Sequence, residues 1–225
     1  MMIKNISNLG DAALYCDFGS EVNKETNSKV IRYFKSLREK NIHGIDNLTP
    51  SYNKLIISFD LKNTNFRKIK KIIEDLNVNE TQPETPKKIE IPVCCESSYS
   101  LDIERLESKL SLNREKIYEN FFNKEYFCYM TGFIAGMPFL GDLDKNMRAK
   151  RLETPRVKVP KGSVGLTEQF ANIYTFESPG GWNIIGNTPL KIFDETKKEN
   201  PNFINPGDII IFKEISLENY KKFDG

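Results

Sequence analysis

Seven basic side chains, Lys145, Arg148, Lys150, Arg151, Arg156, Lys158 and Lys161, lie between Asp144 and Lys161, where the only acids are Asp144 and Glu153. A cluster of this sign beside glycine-rich loops suits a carboxylate or phosphate, because an arginine fork matches such anions with two parallel hydrogen bonds. A solvated charged loop is the competing reading. RNA binding is weaker, because no aromatic residues interleave with the bases. Arg156 stands apart from the rest of the cluster: Pro155 biases Thr154 towards an extended entry, and Val157 and Val159 alternate as in a half-buried strand carrying Arg156 and Lys158.

Two further stretches could build a polar pocket. Ser178-Pro179-Gly180-Gly181-Trp182 holds the only tryptophan after two glycines that permit positive φ and close backbone approach. Its amides could form an anion-binding nest, or the segment could be a barrel corner with a core anchor. Pro160-Lys161-Gly162-Ser163-Val164-Gly165 lacks the spacing of a phosphate-binding Walker loop. Ser163 and Tyr174 are the remaining candidates for polar groups at a site, each equally able to serve as a structural hydrogen-bonder.

The sequence argues against several other chemistries. The sole histidine, His43, sits beside Gly44 in a loop-like context, which argues against a Ser-His-Asp or Cys-His hydrolase. With one histidine there is no His-rich metal site, and no metal or organic cofactor is expected on this chain. Cys16, Cys94, Cys95 and Cys128 lack metal-ligand spacing and read as structural thiols in a reducing compartment. No residue pattern singles out a catalytic group.

The elements that must position these residues are legible in outline. The 225 residues carry a formal charge of +2, 39% hydrophobic and 28% charged residues, the composition of an ordinary globular protein with no electrostatic call for nucleic acid or membrane. No apolar run approaches the roughly 20 residues of a membrane span, and no secretory leader is expected, so the chain reads as cytoplasmic. The order strand Met2–Ile6, strand Ala13–Phe18, helix Asn27–Lys40, strand Lys54–Asp60, helix Phe66–Leu76 predicts a small α+β sandwich. The proline-containing, apolar-poor stretch Asn77–Lys88 predicts a boundary that divides the chain into residues 1–80 and 81–225. Beyond it, the spacing predicts a strand over Ile89–Cys95 and helices over Leu101–Leu110 and Arg114–Phe122, capped by Ser100 and Asn113. Eight of the thirteen glycines then fall between Gly132 and Gly186, among short β-branched and aromatic runs, which predicts an antiparallel barrel or sandwich. Its strands are expected at Tyr126–Thr131, Arg156–Val159, Ile173–Phe176, Asn183–Ile185, Leu190–Phe193 and Ile209–Lys213.

Three ordered motifs carry a family resemblance: Gly132-Phe133-Ile-Ala-Gly136-Met-Pro138-Phe139-Leu140-Gly141, then Pro155-Arg156 to Gly165, then Ser178-Pro179-Gly180-Gly181-Trp182 to Leu190. In these the chain resembles the family of kinase inhibitors and of the 5-oxoprolinase B subunit, also called allophanate hydrolase subunit 1, a carboxyltransferase subdomain. The resemblance covers nearly the whole chain. It implies a small α/β domain followed by a cyclophilin-like β-barrel. It also implies work with two partners, a homologous C subunit plus an A subunit, in the ATP-dependent opening of 5-oxoproline to glutamate, with ATP bound alongside those partners. On that reading the substrate-binding residues are Arg156, Lys158, Ser163, Tyr174, Gly180, Gly181 and Trp182. The chain departs from the family pattern at Phe121, where a histidine is common, at Phe170 and its neighbours, where Gly-x-Gln-Thr-Gly is usual, and at Asn187, where an arginine is usual. Those departures keep two alternatives open: a non-catalytic regulator such as a histidine-kinase inhibitor, and a carboxyltransferase-like component that acts on another amide.

Overall fold

The computed structural model describes residues 3–78 and 86–223, in two compact units, Met1–Thr85 and Pro86–Gly225. The expected boundary between residues 80 and 81, and Met2 at the start of the first expected strand, lie outside the described residues.

The first unit contains β1 (Asn5–Asn8), β2 (Ala13–Asp17), α1 (Lys24–Lys40), β3 (Ile45–Pro50), β4 (Lys54–Phe59) and α2 (Phe66–Glu74). Its sheet runs β1-β2-β4-β3, antiparallel throughout. Alternate residues Leu14 and Cys16 of β2 and Leu55, Ile57 and Phe59 of β4 share one buried face with Val30, Tyr33 and Leu37 of α1 and Ile69 and Ile73 of α2. Both helices start on asparagine caps: Asn23 accepts from the Thr26 amide at 2.8 Å and Asn65 from the Lys68 amide at 3.1 Å. Strand β3 gives little sign of itself in sequence, because Asp46, Asn47 and Pro50 are poor strand formers. It sits at the sheet edge, where a proline removes no ladder bond.

The second unit contains β5 (Lys88–Cys94), α3 (Ile103–Leu110), α4 (Arg114–Phe122), β6 (Glu125–Thr131), β7 (Pro138–Gly141), a 3-10 turn (Lys145–Met147), β8 (Arg156–Val159), β9 (Ser163–Thr167), β10 (Phe170–Ile173), β11 (Ser178–Gly180), β12 (Asn183–Asn187), β13 (Ile209–Ile215) and α5 (Leu217–Lys222). Seven strands close a barrel in the order β10-β7-β6-β13-β5-β12-β9, and β8 pairs with β11 in a separate ribbon. The barrel is not wholly antiparallel as expected: β5 and β13 run parallel, from Lys88 opposite Ile209 to Cys94 opposite Ile215. A large core joins Ile89, Ile91 and Val93 to Phe121, Tyr126 and Phe212, with the Phe121 and Phe212 rings stacked at 4.8 Å.

Several local expectations are corrected. Helix α3 is preceded by Asp102; the Ser100 hydroxyl instead donates to the Cys95 carbonyl at 2.7 Å, with the Ile185 carbonyl 3.0 Å away. Asn113 does cap α4, accepting from the Lys116 amide at 2.9 Å. The strand expected over Ile173–Phe176 lies earlier, at Phe170–Ile173, paired to β9 across a tight turn in which Glu168 takes a left-handed φ of 47°. Glutamate carries no signal for that conformation, so the hairpin is invisible to turn chemistry. Leu190–Phe193 forms only a single bridge, Phe193 to Asn202.

Candidate functional site

Strands β9 and β10 have two buried faces, which is why every β9 residue is buried. Val164, Leu166, Ala171 and Ile173 enter the large core. Ser163, Gly165, Asn172 and Tyr174 alternate to the other side, where Met137, Phe139, Val159, Trp182 and Ile184 form a smaller apolar cluster. Ser163, Asn172 and Tyr174 are thus polar groups set among packed apolar side chains.

Tyr174 is the centre of this arrangement. Its amide donates to the Ser163 carbonyl at 2.9 Å, and its own carbonyl accepts from Gly162 at 2.7 Å, holding the chain beside the start of β9. Its hydroxyl is buried against Gly180, near the Trp182 backbone and the Asn172 carboxamide. Burial pushes its pKa up, with those neighbours and the positive charges of Arg151 and Arg156 acting the other way. The Trp182 indole meets Phe139 edge-on at 5.7 Å.

Gly180 and Gly181 do not adopt the left-handed φ that a nest would use. Gly180 is required for a different reason: a Cβ there would run into the Tyr174 hydroxyl. Gly181 accepts from the Leu152 amide at 2.7 Å, tying the basic segment to the glycine pair.

Arg156 places its two terminal nitrogens on the Asp102 carboxylate at 2.9 and 2.7 Å. Asp102, only 4% exposed, also accepts from the Ile184 amide at 2.7 Å, while its own amide donates to the Ile184 carbonyl at 2.9 Å. The start of α3, β8 and β12 are thereby locked at one carboxylate. Two of the donors expected to hold a ligand anion are therefore already engaged. Lys158, on the same strand, is exposed and pairs with Glu177 at 2.9 Å.

Of the sequence candidates, the fold gathers Ser163, Tyr174, Gly180 and Trp182 around the small cluster, sets Arg156 against Asp102, and leaves Lys158 on the solvent side. The rest of the basic segment divides. Lys145, Arg148, Lys150 and Arg151 are exposed, and a hollow of about 500 Å³ is lined by Arg148, Lys150, Glu168, Gln169 and Phe170. Sequence reasoning missed Asp102, Asn172 and Asn183. Asn172 is fully buried, yet its Oδ1 finds no donor, and its Nδ2 lies 3.6 Å from the Met137 sulfur. Asn183 is fully satisfied: it donates to the carbonyls of Lys150 and Leu166 at 3.2 and 3.0 Å and accepts from Arg105. No linear signal could pair Asp102 with a residue 54 positions away.

The three departures from the family pattern are structural fillers. Phe121 is buried among aromatic rings. Phe170 meets Tyr129 edge-on at 5.7 Å. Asn187 donates to the Lys161 carbonyl at 2.9 Å and accepts from the Tyr220 hydroxyl at 2.8 Å. Among the described residues no group of three or more His, Cys, Asp or Glu could hold a metal, and no helix is long and apolar enough to cross a membrane.

The carboxyltransferase domain, subdomain C and D, matches residues 4–204. The chain belongs to that family. It is similar to the 5-oxoprolinase B subunit of Bacillus subtilis, 30% identical over 97% of this chain and 95% of that one. It is also similar to the 5-oxoprolinase B subunit of Haemophilus influenzae, 28% identical over 92% and 96% respectively. Among solved structures, that of TTHA0988 superposes with a TM-score of 0.82 at 26% identity, covering 91% of this chain but only 40% of the longer TTHA0988 chain.

Proposed function

We propose that this carboxyltransferase-family chain is the B subunit of an ATP-dependent 5-oxoprolinase-type complex, which opens 5-oxoproline to glutamate in the cytoplasm with two partners, a homologous C subunit plus an A subunit. The observation that carries this reading is the near full-length similarity to proteins named as the B subunit of 5-oxoprolinase. The second unit is then a barrel of the cyclophilin-like kind. ATP binds with the partner subunits, in keeping with a chain whose glycine-rich segment lacks phosphate-loop spacing.

The small cluster around Tyr174 suits a small lactam. The Tyr174 hydroxyl can donate to the lactam carbonyl, while Ser163 supplies a second polar group and Trp182 an apolar wall. Arg156 retains guanidinium N–H groups beyond those given to Asp102 and, with Lys158 and the Gly180-Gly181 backbone, offers positive potential to the substrate carboxylate. No residue of this chain is assigned a bond-breaking role.

The test is ATP-dependent glutamate release from 5-oxoproline by the chain assembled with its A and C partners. Release that falls at least tenfold in Tyr174→Phe supports the assignment; a well-formed complex that releases no glutamate sinks it. A regulatory role is the second reading, favoured by the packed side chains of Phe121, Phe170 and Asn187 at the three departure positions. A histidine kinase that co-purifies with the chain in place of those partners would support it.

A further inference from the structure

The hollow of about 500 Å³ at the start of β10 is lined by two cations, Arg148 and Lys150, and one acid, Glu168, together with Ala149, Gln169 and Phe170. The backbone that carries these charges is tied down. The Glu168 amide donates to the Ala149 carbonyl at 2.7 Å, and the Thr167 hydroxyl donates to the same oxygen at 3.2 Å. The Lys150 carbonyl accepts from Asn183 at 3.2 Å, and the Gln169 carbonyl accepts from the Leu143 amide at 2.8 Å. The Arg148 Nε donates to the Leu143 carbonyl at 3.1 Å, leaving the two terminal nitrogens uncommitted among the described residues. This part of the basic segment is therefore a fixed backbone that offers charged side chains to one opening.

Glu168 is joined by a backbone bond to the residue between Arg148 and Lys150, yet among the described residues it closes no ion pair with either. It also holds the left-handed φ of 47°, which glycine adopts freely and a glutamate only under strain. Strain of this kind concentrates at ligand sites. Phe170, half-buried, lines the hollow and also packs against the small cluster that contains Tyr174, so the two places adjoin.

We propose that the hollow binds an acidic α-amino acid. Its two carboxylates engage Arg148 and Lys150, its ammonium engages Glu168, and the Phe170 ring covers its methylenes. Two positive groups and one negative group complement a ligand with two negative charges and one positive. A lactam with one carboxylate and no ammonium matches this set poorly, and a dicarboxylate without an ammonium meets Glu168 as a like charge. Opening of 5-oxoproline creates an amino acid of this class, which makes the hollow a seat for the product beside the lactam cluster; the naming of glutamate rests on the B-subunit reading, whereas the ligand class rests on the charges. Exposed ion pairs are individually weak, so the expected affinity is on the order of 1–10 mM.

The experiment titrates the isotope-labelled full chain with L-glutamate, glutarate, 5-oxoproline and inorganic phosphate, following the amide signals of Ala149, Glu168 and Gln169 by NMR. Glutamate that moves those signals and binds at least about fivefold more tightly than the other three supports the proposal. Glu168→Gln should bring glutamate down to the affinity of glutarate, and Lys150→Gln should weaken glutamate about fivefold. Glu168→Gly should lose the preference while melting at or above the native temperature, because glycine relaxes the turn. Glutarate or phosphate binding as well as glutamate would reveal a general anion surface and overturn the proposal, as would a glutamate preference that survives in Glu168→Gln. A chain with the expected selectivity whose assembled complex releases no glutamate from 5-oxoproline overturns the B-subunit reading alone. A complex that releases glutamate while these signals ignore it overturns the hollow alone.

Discussion

Arg156 and Asp102 form a two-pronged ion pair in which the carboxylate is 4% exposed and the guanidinium 28%. The asymmetry sets the cost of breaking it. Removing the arginine strands a buried charge, whereas removing the carboxylate leaves a guanidinium that can turn to water. Arg156→Ala is expected to destabilise the second unit by about 3–5 kcal/mol and Asp102→Asn by less, about 1–3 kcal/mol. Urea unfolding followed through Trp182 fluorescence checks both; equal costs would mean that the pair is effectively solvated.

Gly180 faces the Tyr174 hydroxyl with no room for a Cβ. Gly180→Ala should cost about 1–3 kcal/mol by overpacking. Part of that cost should vanish in the Tyr174→Phe background, where the hydroxyl is gone. A double-mutant cycle with no coupling would show that the backbone simply moves aside.

Asn172 and Asn183 are both fully buried, yet leucine should cost far more at one than at the other. Asn172→Leu removes an oxygen that has no donor and is expected to change stability by less than about 1 kcal/mol. Asn183→Leu removes the bonds to the Lys150 and Leu166 carbonyls and the acceptor of Arg105, which keeps only its longer contacts to Lys150, and should cost about 2–4 kcal/mol. Thermal melts of the two variants decide it, and a larger loss in Asn172→Leu would contradict the assignment of that atom.

Burial pushes the Cys16 thiol from its ordinary value of 9.0 up to about 12. Its folded pKa lies above the unfolded one, so its contribution is whole below pH 9 and is lost as pH rises from there towards 12. Between those limits the thiol should remove up to about 1.4 kcal/mol of stability per pH unit. Urea melts by circular dichroism at about pH 8 and about pH 10.5, on either side of the unfolded thiol's pKa, should show a smaller pH effect in Cys16→Ala than in the native chain. Parallel losses would place the alkaline sensitivity elsewhere.

What the sequence disclosed follows the strength of its local signals. The helix Arg114–Phe122 is readable because apolar spacing and its Asn113 cap agree, whereas apolar spacing alone places the first helix at Asn27–Lys40 and misses its first turn and Asn23 cap. The hairpin Ser163–Thr167 with Phe170–Ile173 is not, since both its faces are buried and its turn uses Glu168 in place of glycine or asparagine. Tyr174, Trp182 and Gly180 are legible as candidate site residues from their motifs, and the fold brings them together. The partner of Arg156 is not, because long-range pairing leaves no periodic trace. The chemistry of an arginine fork points to a carboxylate, and the chain itself supplies one.

The parallel alignment of β5 and β13 has a further consequence for how the protein comes into being. Lys88 meets Ile209, far later in the chain, so the seam of the barrel cannot be sewn until nearly the whole second unit has left the ribosome. Through that interval the inner edge of β5, with Ile89, Ile91 and Val93, waits without its neighbour. The first unit, whose widest strand pairing joins Ala13 to Ser58, has all of its strands made before the barrel can begin to close.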